Sequence, residues 1–195
     1  MKYIIVGLHC TGKMKIAKIL RDNDISVGSL MTNADISSEL SQHNLYKQYP
    51  IDDMNLTFEN NAYIFFKDLN DNMMNEYECL SSFEFDNNDV FILSPHHLNA
   101  IPKTKISKDK ICFVWLDNNT SNREMTHIDE NRKYSFHERE RFESKDIHDF
   151  VEKIYTIPNS EMIYFWNEEP ARVATIIELM IRHPECRDKI IQNFN

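Results

Sequence analysis

Tyr3-Ile4-Ile5-Val6-Gly7-Leu8-His9-Cys10-Thr11-Gly12-Lys13-Met14 is an apolar run, then Gly-x-x-x-x-Gly-Lys, then the opening of a helical pattern. Glycines let a backbone curl without a Cβ clash, so that successive N–H groups and a helix start converge on an anion. Lys13 would add a point charge for the outer phosphates. The order matters, because the loop has meaning only when a strand launches it and it opens a helix. Such a string can also arise by chance in a turn. Against that reading, the chain holds three glycines in all, and two of them stand here. Position 14 departs from the motif: a Ser or Thr hydroxyl there would ligate Mg2+, and a Met14 thioether is a poor partner for a hard cation. Thr11 precedes Gly12 and so lies on the loop, not on the first helical turn.

Working outward, 195 residues with 42% apolar and 27% charged side chains suit one globular domain, 1–195, with a sizeable core. The formal net charge of −9 disfavours a general electrostatic grip on nucleic acid; any such contact needs a local basic cluster. Cys10, Cys79, Cys112 and Cys186 are widely spaced, without metal-ligand spacing, and read as reduced thiols; no residue is assigned to a metal. No run approaches the roughly 20 apolar residues of a membrane span, and the first residues enter a strand directly, so no membrane partner is expected and the cytoplasm is the expected location.

Lys13 to Arg21 carries apolar residues at helical spacing. The stretch to about residue 60 is polar and reads as loop with short helix, and 62–66 as strand. Asp68 to Tyr77 reads as a short helix capped by Asp68 or Asn70. Continuous apolar runs at 89–95, 111–116 and 162–166 read as buried parallel strands. Between and after them, 120 to about 132, 136 to about 155 and 170–181 read as helices. Strands alternating with helices predict a three-layer α/β fold with a mainly parallel sheet.

In that order the motifs resemble the P-loop nucleoside monophosphate kinases, and are most similar to guanylate kinases. Beyond the loop, Ile25-Ser26-Val27-Gly28-Ser29 resembles the family's Ser-Val-Ser segment, and Tyr63-Ile64-Phe65-Phe66-Lys67-Asp68 its Tyr-x-Phe-Val-Ser strand. Phe113 to Thr120 resembles the strand before its Pro-Pro-Ser turn, and Ile163 to Ile181 the closing strand and helix. The resemblance implies a P-loop NTPase fold with an acceptor-binding subdomain at about 29–85 and a lid at about 120–145. It implies ATP held by Gly7, Leu8, His9, Cys10, Thr11, Gly12, Lys13 and Met14, an acceptor near Ser29 and Tyr63, and catalytic roles for Lys13, Arg132 and Arg141. Mg2+ is implied too, though Met14 removes its usual ligand. Other departures fall on chemistry: Met31-Thr32-Asn33-Ala34-Asp35 holds no cation where the family clamps the acceptor phosphate with two arginines, and Leu93-Ser94-Pro95 lacks an expected acid.

Competing readings stand beside these. Arg123, Arg132, Lys133, Arg139 and Arg141 form a phosphate-closing lid, or a solvated helix face paired with Glu138, Glu140 and Glu143. His96-His97 follow a strand at the ligand-binding edge of the sheet, yet adjacent histidines diverge. Cys10 beside Lys13 is an oxidisable thiol or a loop filler, and Tyr63 an acceptor contact or ordinary packing. The leading expectation is ATP-dependent phosphoryl transfer to a nucleotide or nucleotide-like acceptor, alternatively to a hydroxyl of a modified base in DNA. The rival is a catalytically weak or inactive domain that binds a nucleotide or a protein, with a protein partner or a second copy as its ligand. A switch or motor NTPase is disfavoured by the missing acidic strand end.

Overall fold

The structure is a computed structural model, and it describes residues 1–32, 46–48, 62–67, 76–95, 98, 110–129, 136–144, 147–166 and 169–194. Its centre is a parallel four-stranded sheet of β1 (Lys2–Val6), β6 (Val90–Leu93), β7 (Ile111–Asp117) and β8 (Ser160–Trp166), in the order β6-β1-β7-β8. Beyond β6 the chain adds one further parallel bridge, Val27 to Val90, secured by the Gly28 N–H on the Val90 carbonyl at 2.9 Å.

Why the strands are continuously apolar follows from their two covered faces. Successive side chains alternate, so Tyr3, Ile5, Ile92, Val114, Leu116 and Phe165 feed one core, while Ile4, Val6, Phe91, Leu93, Phe113 and Trp115 feed the other. The first core is closed by α1 (Lys13–Asp22) through Ile16, Ala17 and Leu20, and by α6 (Pro170–Arg182) through Val173, Ile176, Ile177 and Met180. The second is closed by Phe85 of α2 (Ser82–Asn87) and by Phe150 and Ile154 of α5 (Ile147–Tyr155). The result is the three-layer α/β arrangement expected from the sequence. Two polar helices, α3 (Thr120–Asp129) and α4 (Phe136–Ser144), follow β7, and α7 (Arg187–Phe194) ends the described chain.

A second sheet interrupts this core between Val27 and α2. It orders β3 (Tyr46–Gln48), β2 (Leu30–Thr32), β5 (Glu76–Ser81) and β4 (Ala62–Lys67) as β3-β2-β5-β4, with β4 and β5 antiparallel from Ala62↔Ser81 to Lys67↔Glu76. Here the structure corrects the sequence reading. Tyr77 lies in a strand and not in a helix, because Glu76 to Ser81 pairs on both sides, with β4 and with β2. The caps proposed at Asp68 and Asn70 lie outside the described residues. The segment read as loop with short helix contributes β2 and β3, and the single helix read over 136–155 is two, α4 and α5. Among the described residues no helix is long and apolar enough to cross a membrane.

Candidate functional site

β1 delivers the chain to the C-terminal edge of the parallel sheet, where ligands bind in folds of this class. The next residue must be glycine on packing grounds: a Cβ on Gly7 would stand 2.9 Å from Thr11 Oγ1 and closer still to the Leu116 carbonyl oxygen of β7. Two residues of the loop take left-handed backbone, Cys10 at φ 58° and Gly12 at φ 89°. Left-handed residues alternating with right-handed ones are the backbone pattern of anion-binding turns. Gly12 is also the N-cap of α1; no side chain caps that helix and its first turn holds no acid. Dipole and amides at this point therefore favour an anion.

Lys13 is 9% exposed, and its ammonium folds into the loop: Nζ donates to the carbonyl oxygens of Gly7, at 2.7 Å, and of Leu8, with Thr11 Oγ1 at 3.4 Å. Thr11 in turn donates its hydroxyl to the Leu8 carbonyl at 2.8 Å. Gly7, Leu8, Thr11 and Lys13 are thus bonded into one closed unit. Met14 is partly buried and packs against the first core, so its thioether serves as filler for the helix–sheet interface. At the neighbouring strand end, Asp117 accepts the Asn118 N–H at 2.8 Å and the Tyr164 hydroxyl at 3.2 Å. Burial, and then the Asp117 charge, push the Tyr164 hydroxyl above its ordinary value. With a thioether at 14 and Asp117 engaged locally, the donor set does not fit Mg2+ at the loop, and no group of three or more His, Cys, Asp or Glu that could hold a metal occurs among the described residues.

The flank of the loop is closed by α3 and α4. Glu143, 2% exposed, accepts the His9 backbone N–H at 2.6 Å, and its carboxylate lies 3.2 Å from His9 Nδ1. The His9 ring packs on Phe136 at 4.8 Å between centroids, and the Arg123 guanidinium lies over the same Phe136 ring, 5.5 Å from its centroid. Arg123 is 3% exposed, pairs with Glu140 and donates Nε to the Asn118 carbonyl at 3.3 Å. The solvated-face reading therefore fails for Arg123 and Glu143, both of which are buried. Sequence reasoning had one usable signal for this: Phe136 and Glu143 are seven residues apart and share a helix face.

The other expected site residues fare differently. Ser29 is buried; its hydroxyl accepts from Arg21 Nη2 at 2.9 Å and its N–H donates to Glu84 at 3.0 Å, which ties the entry to the second sheet onto α1 and α2. Burial lowers the Arg21 guanidinium from its ordinary value, against the opposing pull of Glu84. Tyr63 stands opposite Leu80 in the β4–β5 ladder. Arg141 is exposed in the last turn of α4. Arg132, Lys133, His96 and His97 lie outside the described residues. Ser94 follows β6 where an acid was missed in the sequence, and Asp117 stands at the end of β7, the strand on the other side of β1.

No protein-family model and no curated protein sequence matches the chain. Among solved structures it is similar to guanylate kinase from Anaplasma phagocytophilum, with a TM-score of 0.51 at 9% identity over 99% of this chain and 94% of that one. The likeness is one of fold: a P-loop-kinase-like α/β architecture.

Proposed function

We propose that the chain is an ATP-binding phosphotransferase of the nucleoside monophosphate kinase type, acting on a nucleotide or nucleotide-like acceptor. The observation that carries the reading is the closed unit of Gly7, Leu8, Thr11 and Lys13 at the sheet edge, in a loop where Cys10 and Gly12 take left-handed backbone. The β and γ phosphates of ATP would lie in that loop. Lys13 would exchange the carbonyls of Gly7 and Leu8 for phosphate oxygens, and the α1 dipole would add to the neutralisation. An acceptor would lie toward the second sheet, near Tyr63, with Arg132 and, from α4, Arg141 as the closing cations. Catalysis of this kind needs positioning and charge stabilisation and no covalent intermediate. No step is assigned to a metal, because the loop presents no hard ligand at position 14. The missing cations at 31–35 point to an acceptor other than an ordinary monophosphate; a hydroxyl on a modified DNA base is one candidate.

A second reading, a domain that keeps the fold and binds a nucleotide or protein without turnover, is favoured by two observations. Met14 is committed to the core, and the Ser29 hydroxyl is committed to Arg21. Isothermal titration with ATP, with and without Mg2+, followed by ADP release over a panel of nucleoside monophosphates, separates the two. Turnover abolished by Lys13→Ala supports the kinase. ATP binding without ADP release from any acceptor leaves the binding domain. No ATP binding at millimolar concentration sinks both nucleotide readings.

A further inference from the structure

Glu143 is a buried carboxylate that the phosphate-loop chemistry does not account for. Burying such a group is unfavourable unless it is paired and hydrogen bonded, and its partner here is the loop itself. The His9 N–H reaches Glu143 Oε2 at 2.6 Å, the short range of a charge-assisted bond, and His9 Nδ1 lies 3.2 Å away. Glu143 thus takes a backbone N–H of the phosphate loop, a group of the kind that would otherwise face a phosphate oxygen. Both anions would then share a poorly screened, water-poor site, where like charges repel strongly.

Resting on the phosphate-loop reading above, we propose that Glu143 is the loop's internal counter-anion: α4 holds a carboxylate against His9 and thereby lowers the affinity for polyphosphate until α4 withdraws it. Glu143 is then a positioning residue whose charge, and not only whose hydrogen bond, sets nucleotide affinity. The distinction is testable because Glu143→Gln keeps an oxygen for the His9 N–H and removes the charge.

Titration calorimetry with ATP on wild type, Glu143→Gln and Lys13→Ala, each checked by thermal melting, reads the effect. Glu143→Gln is expected to bind ATP about tenfold more tightly, the order expected when one like charge is removed from a poorly screened site. In 15N-labelled wild type the His9 amide proton is expected well downfield, moving upfield as ATP weakens its bond to the carboxylate. Binding no tighter in Glu143→Gln, with Lys13→Ala still abolishing it, overturns the counter-anion and leaves the phosphate loop standing with Glu143 as a plain tether. If Glu143→Gln does not fold, the wild-type amide decides alone, and a His9 resonance unmoved at saturating ATP overturns the proposal. Absence of ATP binding in every protein removes the loop reading and this inference together.

Discussion

Gly7→Ala is the sharpest perturbation of the site, because the obstacle to the new methyl is backbone. The added Cβ would lie 2.9 Å from Thr11 Oγ1 and nearer still to the Leu116 carbonyl oxygen, separations that real Cβ atoms essentially never show, with the Leu116 carbonyl carbon a further tight contact at 3.3 Å. Thr11 can rotate. Leu116 cannot, since it belongs to β7, where it pairs with Phe165 of β8 one residue beyond the last pairing with β1, Val6↔Trp115. The loop must therefore move away from β7, and overpacking of this kind costs about 1–3 kcal/mol. For a chain of this length each kcal/mol shifts Tm by roughly 2–4 °C, so a loss of about 4–8 °C is expected for a cost near 2 kcal/mol. Gly12→Ala is the internal control: its methyl meets only the flexible Pro170 Cγ at 3.2 Å, and its cost is the left-handed backbone at φ 89°, about 1–2 kcal/mol. Thermal denaturation followed by circular dichroism, with ATP titration on the same samples, measures both. Gly7→Ala should lose ATP binding by more than about tenfold as the Lys13 carbonyl partners shift, the equivalent of roughly 1.4 kcal/mol. A Gly7→Ala protein that melts within a degree of wild type, or that binds ATP as well, would refute the packing argument for the loop.

Met14→Ser should cost about 1 kcal/mol, less than the roughly 2–5 kcal/mol of truncating a fully buried Met, because Met14 is only partly buried against the core. It should also make ATP affinity rise with Mg2+ by several-fold; calorimetry with and without the metal checks this, and an affinity indifferent to Mg2+ counts against the assignment of position 14. Arg123→Ala removes the partner of Glu140 and the cation over Phe136. Glu140 is partly exposed and can rehydrate, so about 2 kcal/mol is expected, below the roughly 3–5 kcal/mol of a fully buried broken pair; denaturant titration with unchanged midpoint contradicts it. At the opposite end of the sheet, burial pushes the Cys112 thiol from 9.0 up to about 12, and burial with the nearby Cys112 charge pushes the Tyr3 hydroxyl from 10.0 up to about 12. Both groups hold their protons longer folded than unfolded, so stability is whole below about pH 9 and is lost as pH rises toward 12. Iodoacetamide at pH 8 should label exposed Cys186 and spare Cys112 until the protein unfolds, as read by mass spectrometry; equal labelling rates contradict the burial.

What could be read from the sequence was what is local or periodic. The loop announces itself through two glycines and a lysine after an apolar run, and β6, β7 and β8 through unbroken apolar stretches that only a doubly covered sheet explains. β2 and β3 gave no such signal, because three-residue strands such as Leu30–Thr32 and Tyr46–Gln48 exist only by pairing with each other and with β5. Tyr77 was misread for the same reason: a charged-aromatic alternation near turn residues looks helical until a ladder claims it. The flank of the site was hidden more deeply. Phe136 to Ser144 reads Phe-His-Glu-Arg-Glu-Arg-Phe-Glu-Ser, a composition that belongs on a solvated helix, and Glu143 is buried only because an amide 134 residues away receives it.

That long-range bond bears on how a chain of net charge −9 would hold a polyphosphate at all. The overall field repels such a ligand, and at physiological salt it is screened beyond about 8 Å, so affinity must come from charges within one or two residues of the phosphates. Among the described residues the loop offers the Lys13 ammonium, the amides around Cys10 and Gly12 and the start of α1, with the buried Arg123 on its flank. A buried carboxylate on the loop subtracts from that sum at short range, where salt does not help. Arg141, in the last turn of α4, lies two residues from Glu143, so a movement of α4 would shift both charges together. In that arrangement loop and lid are one electrostatic unit, and the sign of the Glu143→Gln effect on ATP affinity reports directly on whether they are.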